Sequence, residues 1–386
     1  MCWKMAEENS TITFTVKEYT DRMVRVREII QAHKLDALLI DQTEFMAYFT
    51  GFSVSENMYR ACLIPAVGEP VVMFRAIDMG PFTEGSWLGA GNAVTFADWE
   101  DPIQVLAGIV RQRGWESGRI GIDEASYCMP VARYRQLTNA LPNAQFIDVS
   151  GQIQLVRTIK SSQEIEYIRH ASGLADQAMA ELVVRAQGRE MSARKAAAIA
   201  HQVFMDRGGD TSRAGIITTG RGDDFLHGNL HDANVEDGDI LHIELLPFYR
   251  GYSARLMRPC IRGEHPERLA QARKLISIQD QQFAQMRPGV KASVVDAVAR
   301  NGIKDAKLRG EFPNITGYTV GYFPLSTPHT SDFTRVFHPG SDWVLEAGMT
   351  FHMYLSASGL AFSETVLVTD TGVELLTRAP RQAHVI

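Results

Sequence analysis

Cysteine is scarce. The 386 residues include four, Cys2, Cys62, Cys128 and Cys260, with no CxxC spacing among them. That argues against a zinc knuckle or a disulfide framework and fits scattered thiols in a reducing compartment. Long apolar runs are also missing: no stretch approaches the ~20 residues of a membrane span. The opening MCWKMAEENSTITF has neither an apolar h-region nor a cleavage pattern, so no signal peptide is expected. Basic clusters are absent, and 39 Lys and Arg against 45 Asp and Glu give a net charge of −6. Nucleic acid is therefore not an expected partner. There is no short-period repeat and no low-complexity tract. These absences leave a soluble, cytoplasmic protein.

What is present suggests two domains, because the chain is too long for one ordinary core. Residues 15–33 read as a helix with a stripe of Tyr19, Met23, Val26, Ile29 and Ile30. A strand at 35–39 follows, then a hairpin of 61–65 and 70–74 about Val67-Gly68-Glu69. Helices at 103–113 and 134–140 each precede a strand, at 120–122 and 145–148. This α/β order predicts parallel strands. Residues 152–160 form the junction. Beyond it come long amphipathic helices at 163–186, 192–207, 267–286 and 292–308, with strands at 216–219, 239–247, 251–259, 350–355 and 361–368. Helices grouped with antiparallel strands indicate an α+β domain.

Four segments in order resemble one family. They are Tyr48-Phe49-Thr50-Gly51-Phe52; Arg157-Thr158-Ile159-Lys160-Ser161 with Glu164, Ile165, Ile168 and Arg169; Gly238-Asp239-Ile240; and Val344 through Phe351. Their spacing is similar to that of the creatinase/prolidase (M24, pita-bread) superfamily over nearly the whole chain. The resemblance implies an α/β N-terminal domain at 1–156 and an α+β pita-bread catalytic domain at 157–386. It also implies a homodimer with the active site near the subunit interface.

Metal-dependent members use two aspartates, a histidine and two glutamates, hard donors suited to Mn, Co or Zn. The positions matching them here are Glu244, Arg255, Tyr318, Tyr354 and Ser363, the last with Glu364 beside it. At most two carboxylates remain, and a guanidinium cannot ligate a metal. No metal and no other cofactor is expected.

Strand alternation puts Glu244 on one face with His242 and Leu246, and Tyr354 with His352. If the family's sheet is kept, Glu244, His352 and Tyr354 line one pocket with Ser363 or Glu364 at its edge. Glu244 is the candidate base or nucleophile; the plainer alternative is a leftover ion pair with Arg255. His227, in Phe225-Leu226-His227-Gly228-Asn229, stands where creatinase-like enzymes carry a catalytic histidine, with His231 as a competitor. His352 and Tyr354 would steady developing charge, although a lone strand histidine is more often a core residue. Arg60 and Arg255 are carboxylate anchors, the first reaching a partner's site by the resemblance, or else a solvated surface arginine. Arg335 is a weaker third. Tyr318 and Glu364 complete the expected substrate-binding set.

Creatinase grips its guanidinium with glutamates where Met257 and Tyr354 stand here. Ectoine hydrolases resemble the chain more in Glu244-Leu245 with Tyr249, Tyr252 and Arg258, in Leu345 to His352, and in Ser363-Glu364-Thr365-Val366. The resemblance implies that the glutamate at the Glu244 position is the nucleophile or base that opens a cyclic amidine. Phe323-Pro324-Leu325-Ser326-Thr327-Pro328-His329 replaces their Pro-Pro-Asp-Trp stretch. The expected activity is metal-free hydrolysis of a C–N bond in a small, carboxylate-bearing amidine or amide. A metal-dependent Xaa-Pro dipeptidase and an inactive pita-bread binding protein are the alternatives.

Overall fold

Thr15 accepts a hydrogen bond from the Glu18 amide and starts α1 (Val16–Ala32), whose Tyr19, Met23, Val26 and Ile30 are buried. The computed structural model describes residues 13–54, 58–210, 215–324 and 327–386. They divide into one unit of Met1–Arg157 with Phe323–Thr330 and another of Thr158–Tyr322 with Ser331–Ile386.

In the first unit the elements run β1 (Ala37–Ile40), α2 (Thr43–Thr50), β2 (Ala61–Pro65), β3 (Val71–Arg75), α3 (Met79–Gly85), β4 (Ala93–Phe96), α4 (Pro102–Gln112), β5 (Arg119–Ile122), α5 (Val131–Ala140), β6 (Gln145–Asp148) and α6 (Gln152–Leu155). The sheet order is β4-β3-β2-β1-β5-β6. It is mixed rather than wholly parallel: β1–β2 and β2–β3 are antiparallel, the other three pairs parallel. The turn between β2 and β3 is too short for the crossover that parallel pairing needs. Sequence periodicity missed α2 because every one of its residues is buried, which erases the polar face. Gly51 ends it at φ 78, where a Cβ would come within 2.4 Å of the Gly85 carbonyl oxygen.

The second unit begins with α7 (Ser162–Ala186), opened by a reciprocal capping box between Ser161 and Glu164. Then follow α8 (Ala193–Asp206), β7 (Ile217–Gly220), β8 (Ile240–Leu245), β9 (Phe248–Tyr249), β10 (Tyr252–Ser253), β11 (Leu256–Ile261), α9 (Pro266–Gln285), α10 (Ala292–Asp305), β12 (Gly317–Thr319), β13 (Asp332–Phe337), β14 (Thr350–Ala357), β15 (Leu360–Val368), β16 (Val373–Leu375) and β17 (His384–Val385). The large sheet is ordered β13-β12-β14-β15-β11-β8-β7. Leu241, Ile243 and Leu245 pack against α7 and α8, and Met353, Leu355, Phe362 and Val366 against α9 and α10. Their alternates point to the other face. Among the described residues no helix is long and apolar enough to cross a membrane.

Candidate active site

Strand pairing assembles the site. Glu244 on β8 lies opposite Met257 on β11, Met257 opposite Ser363 on β15, and Ser363 opposite Tyr354 on β14. In the next row Thr365 lies opposite His352, and His352 opposite Tyr318 on β12. Residues directly opposite across a ladder share a face, so residues more than a hundred positions apart meet there. Close backbone approach supports the row: a Cβ on Gly215 would lie 1.9 Å from the Glu244 carbonyl oxygen.

Arg255 falls in the break between β10 and β11, not within one continuous strand as expected. Its amide donates to Thr365 Oγ1 at 2.8 Å and its carbonyl accepts from the same hydroxyl at 2.9 Å. That side-chain bonding replaces ladder pairing and turns the arginine inward. Its Nη1 donates to Glu244 Oε1, and its Nη2 donates to Ser331 Oγ at 2.8 Å. The guanidinium lies 5.5 Å from the Tyr318 ring centroid. Tyr318 packs edge-on to His352 at 5.0 Å, and His352 stacks on Tyr354 at 5.2 Å. Burial pushes Tyr318 up to about 12 and raises Tyr354 too. Both phenols therefore keep their protons at neutral pH and can donate.

His352 is wholly buried, and neither ring nitrogen has a hydrogen-bond partner among the described residues. Ser363 Oγ and His242 Nδ1 on the same face are likewise without one. Buried polar atoms are nearly always satisfied, so this cluster marks where a ligand or water would put its own polar atoms. Burial and then the charge of Arg255 hold His352 well below the usual histidine range. Burial also holds His242 down, to about 4, opposed by Glu244 and reinforced by His227. Such a histidine gains a proton on unfolding, so its contribution to stability is complete above about pH 6.5 and is lost as pH falls toward the folded value. Urea midpoints are expected to drop between pH 6.5 and 5, by about 2 kcal/mol of stability per buried histidine. His352→Phe should lose its share of that slope; an unchanged slope would mean that folding does not disfavour the proton on His352.

His227 is exposed on the loop after β7. Gly228 next to it passes so near Thr218 that a Cβ would be 2.8 Å from the hydroxyl. Thr218 is the register partner of His242, which places His227 toward the Glu244 end of the sheet. One expected member lies on another face of the sheet. Glu364 is on the opposite, helix-covered face, because Ser363 takes the inward position facing Tyr354. There Glu364 accepts from Arg258 Nη2 at 2.7 Å and from Thr377 Oγ1 at 2.5 Å. Arg60 is not a solvated surface arginine. It is 5% exposed within the first unit, donates to Thr43 Oγ1, and lines a recess of about 190 Å³ with Asp41, Tyr127 and Arg133. Arg335 is half-buried on β13, its guanidinium 5.6 Å from the Trp343 ring centroid. Ser331 and Thr365, which orient Arg255, had no local signature in the sequence; their roles follow from pairing with a distant segment.

The family's metal centre does not suit this donor set. Glu244 is the one carboxylate in the two rows, and its oxygen is engaged by a guanidinium. Among the described residues no group of three or more His, Cys, Asp or Glu is arranged to hold an ion.

Residues 166–370 match the model of metallopeptidase family M24, and residues 22–159 that of the creatinase/prolidase N-terminal domain. An ectoine hydrolase of Halomonas elongata is 26% identical over 97% of this chain and 99% of its own. An Xaa-Pro dipeptidase of Pyrococcus furiosus is 25% identical over 94% and 99%. The crystal structure of a prolidase from Pyrococcus horikoshii superimposes with a TM-score of 0.80 at 21% identity, covering 94% of this chain and 99% of that one.

Proposed function

We propose, for a chain that belongs to metallopeptidase family M24 and carries a creatinase/prolidase N-terminal domain, a metal-independent hydrolase of a C–N bond in a small amide or amidine bearing a carboxylate. The observation that carries this reading is the Arg255 guanidinium on Glu244, in a row whose other members are Met257, Ser363 and Tyr354. A permanent cation stands where a divalent ion would need a ligand.

In this reading Glu244 takes a proton from water, whose oxygen bonds to the amide or amidine carbon, or attacks that carbon itself to give an acyl-enzyme that water then hydrolyses to free the carboxylate. The Tyr318 and Tyr354 hydroxyls donate to the heteroatom that gains charge. His227 delivers a proton to the departing nitrogen as the C–N bond breaks. Arg255 holds the substrate carboxylate, with Arg60 as a second anchor. The substrate is anionic or zwitterionic, ectoine being one such compound, and the working form is a cytoplasmic homodimer.

Elemental analysis of protein purified without chelator is expected to find no stoichiometric Mn, Co or Zn, and EDTA should leave turnover unchanged. Ectoine, hydroxyectoine, creatine and N-acyl amino acids form the substrate screen. Stoichiometric metal with EDTA-sensitive cleavage of Xaa-Pro dipeptides would replace this reading with that of the dipeptidase relatives.

A further inference from the structure

Glu244 and Arg255 each occupy the other. Their side chains are 3% and 8% exposed; Glu244 is the one carboxylate in the two rows that build the site, and Arg255 reaches it from the break between β10 and β11. A carboxylate oxygen that accepts from a guanidinium is turned away from water and from a substrate carbon, and a guanidinium facing its own carboxylate attracts other anions less. The arginine is nevertheless held independently of this contact. Thr365 fixes its main chain on both sides, Ser331 accepts from Nη2, and the Tyr318 ring packs beside the guanidinium. Removing Glu244 from Nη1 would leave Arg255 in place.

Resting on the reading above, we propose that the Glu244–Arg255 ion pair is a self-inhibiting contact that a small carboxylate anion opens. The incoming carboxylate accepts from Nη1 in place of Glu244, and the released Glu244 turns to water or to the scissile carbon. One buried ion pair replaces another, so the exchange avoids the penalty of leaving a buried charge uncompensated. A substrate lacking the carboxylate leaves the pair closed. The chain thus selects carboxylate-bearing substrates by activation as well as by binding, and apparent affinity is lowered by the fraction of molecules in which the pair is closed.

Calorimetric titration of acetate and N-acetylglycine into the full chain tests this. Glu244→Gln, which removes the competing charge, is expected to bind both at least about tenfold more tightly than wild type. Glu244→Asp, one methylene shorter, should fall between them, and it carries the test if circular dichroism shows the glutamine variant unfolded. Arg255→Met should bind neither. Equal or weaker binding by the Glu244 variants, with Arg255→Met still silent, overturns the self-inhibition and leaves Arg255 as anchor. Undiminished binding by Arg255→Met, or no binding by any form, overturns both.

Discussion

Glu244→Gln is expected to lower turnover of a carboxylate-bearing amide or amidine by about 10³-fold, the scale on which a positioned base acts. The substitution keeps shape and removes charge. The side chain is nearly wholly buried, on a strand paired on both sides, so glutamine can occupy its place in the row. Loss of the charge should also remove competition for Arg255. KM should therefore fall while kcat falls, a combination that simple damage to the site does not give. Steady-state kinetics on whichever screened compound the wild type cleaves decides it. Retained turnover would exclude Glu244 as base or nucleophile and return the pair to a structural role.

The largest stability effect is expected on the other face. Arg258 and Glu364 are both inaccessible to solvent and 2.7 Å apart. Arg258 also donates to the carbonyls of Met257, Ser363, Ala379 and Pro380, each at 2.9 Å, tying the C-terminal segment to the sheet. Breaking such a buried pair by removing one partner costs about 3–5 kcal/mol, and Arg381, whose Nε lies 3.2 Å from Glu364, makes the loss smaller for Arg258→Met than for Glu364→Gln. Glu364→Gln and Arg258→Met should each lose stability on that scale in urea titrations read by linear extrapolation. The folded fraction of Glu364→Gln should keep its KM, because the side chain does not face the site. A variant of near wild-type stability with raised KM would restore Glu364 to the substrate-binding set.

Much of the architecture was legible before any coordinates. The stripe of α1, the amphipathic pattern of α7 and the hairpin of β2 and β3 are local signals, each written within one segment. Strand alternation likewise placed Glu244 with His242 and Tyr354 with His352, because it is a property of one backbone segment. Where periodicity was lost to complete burial, as in α2, no local signal remained.

The site needed information that no single segment holds. Whether Ser363 or Glu364 faces inward turns on a one-residue register, which moves every side chain of a strand to the opposite face. That register comes from pairing β15 with β14 and β11, elements distant in the chain, and from the burial of Glu364 against Arg258. The direction of Arg255 depends on Thr365 and Ser331, which are 110 and 76 residues away. Residue type and alternation thus named the chemical groups and the faces they could take. Long-range pairing chose among those faces, because it couples the burial of one segment to the polar satisfaction of another.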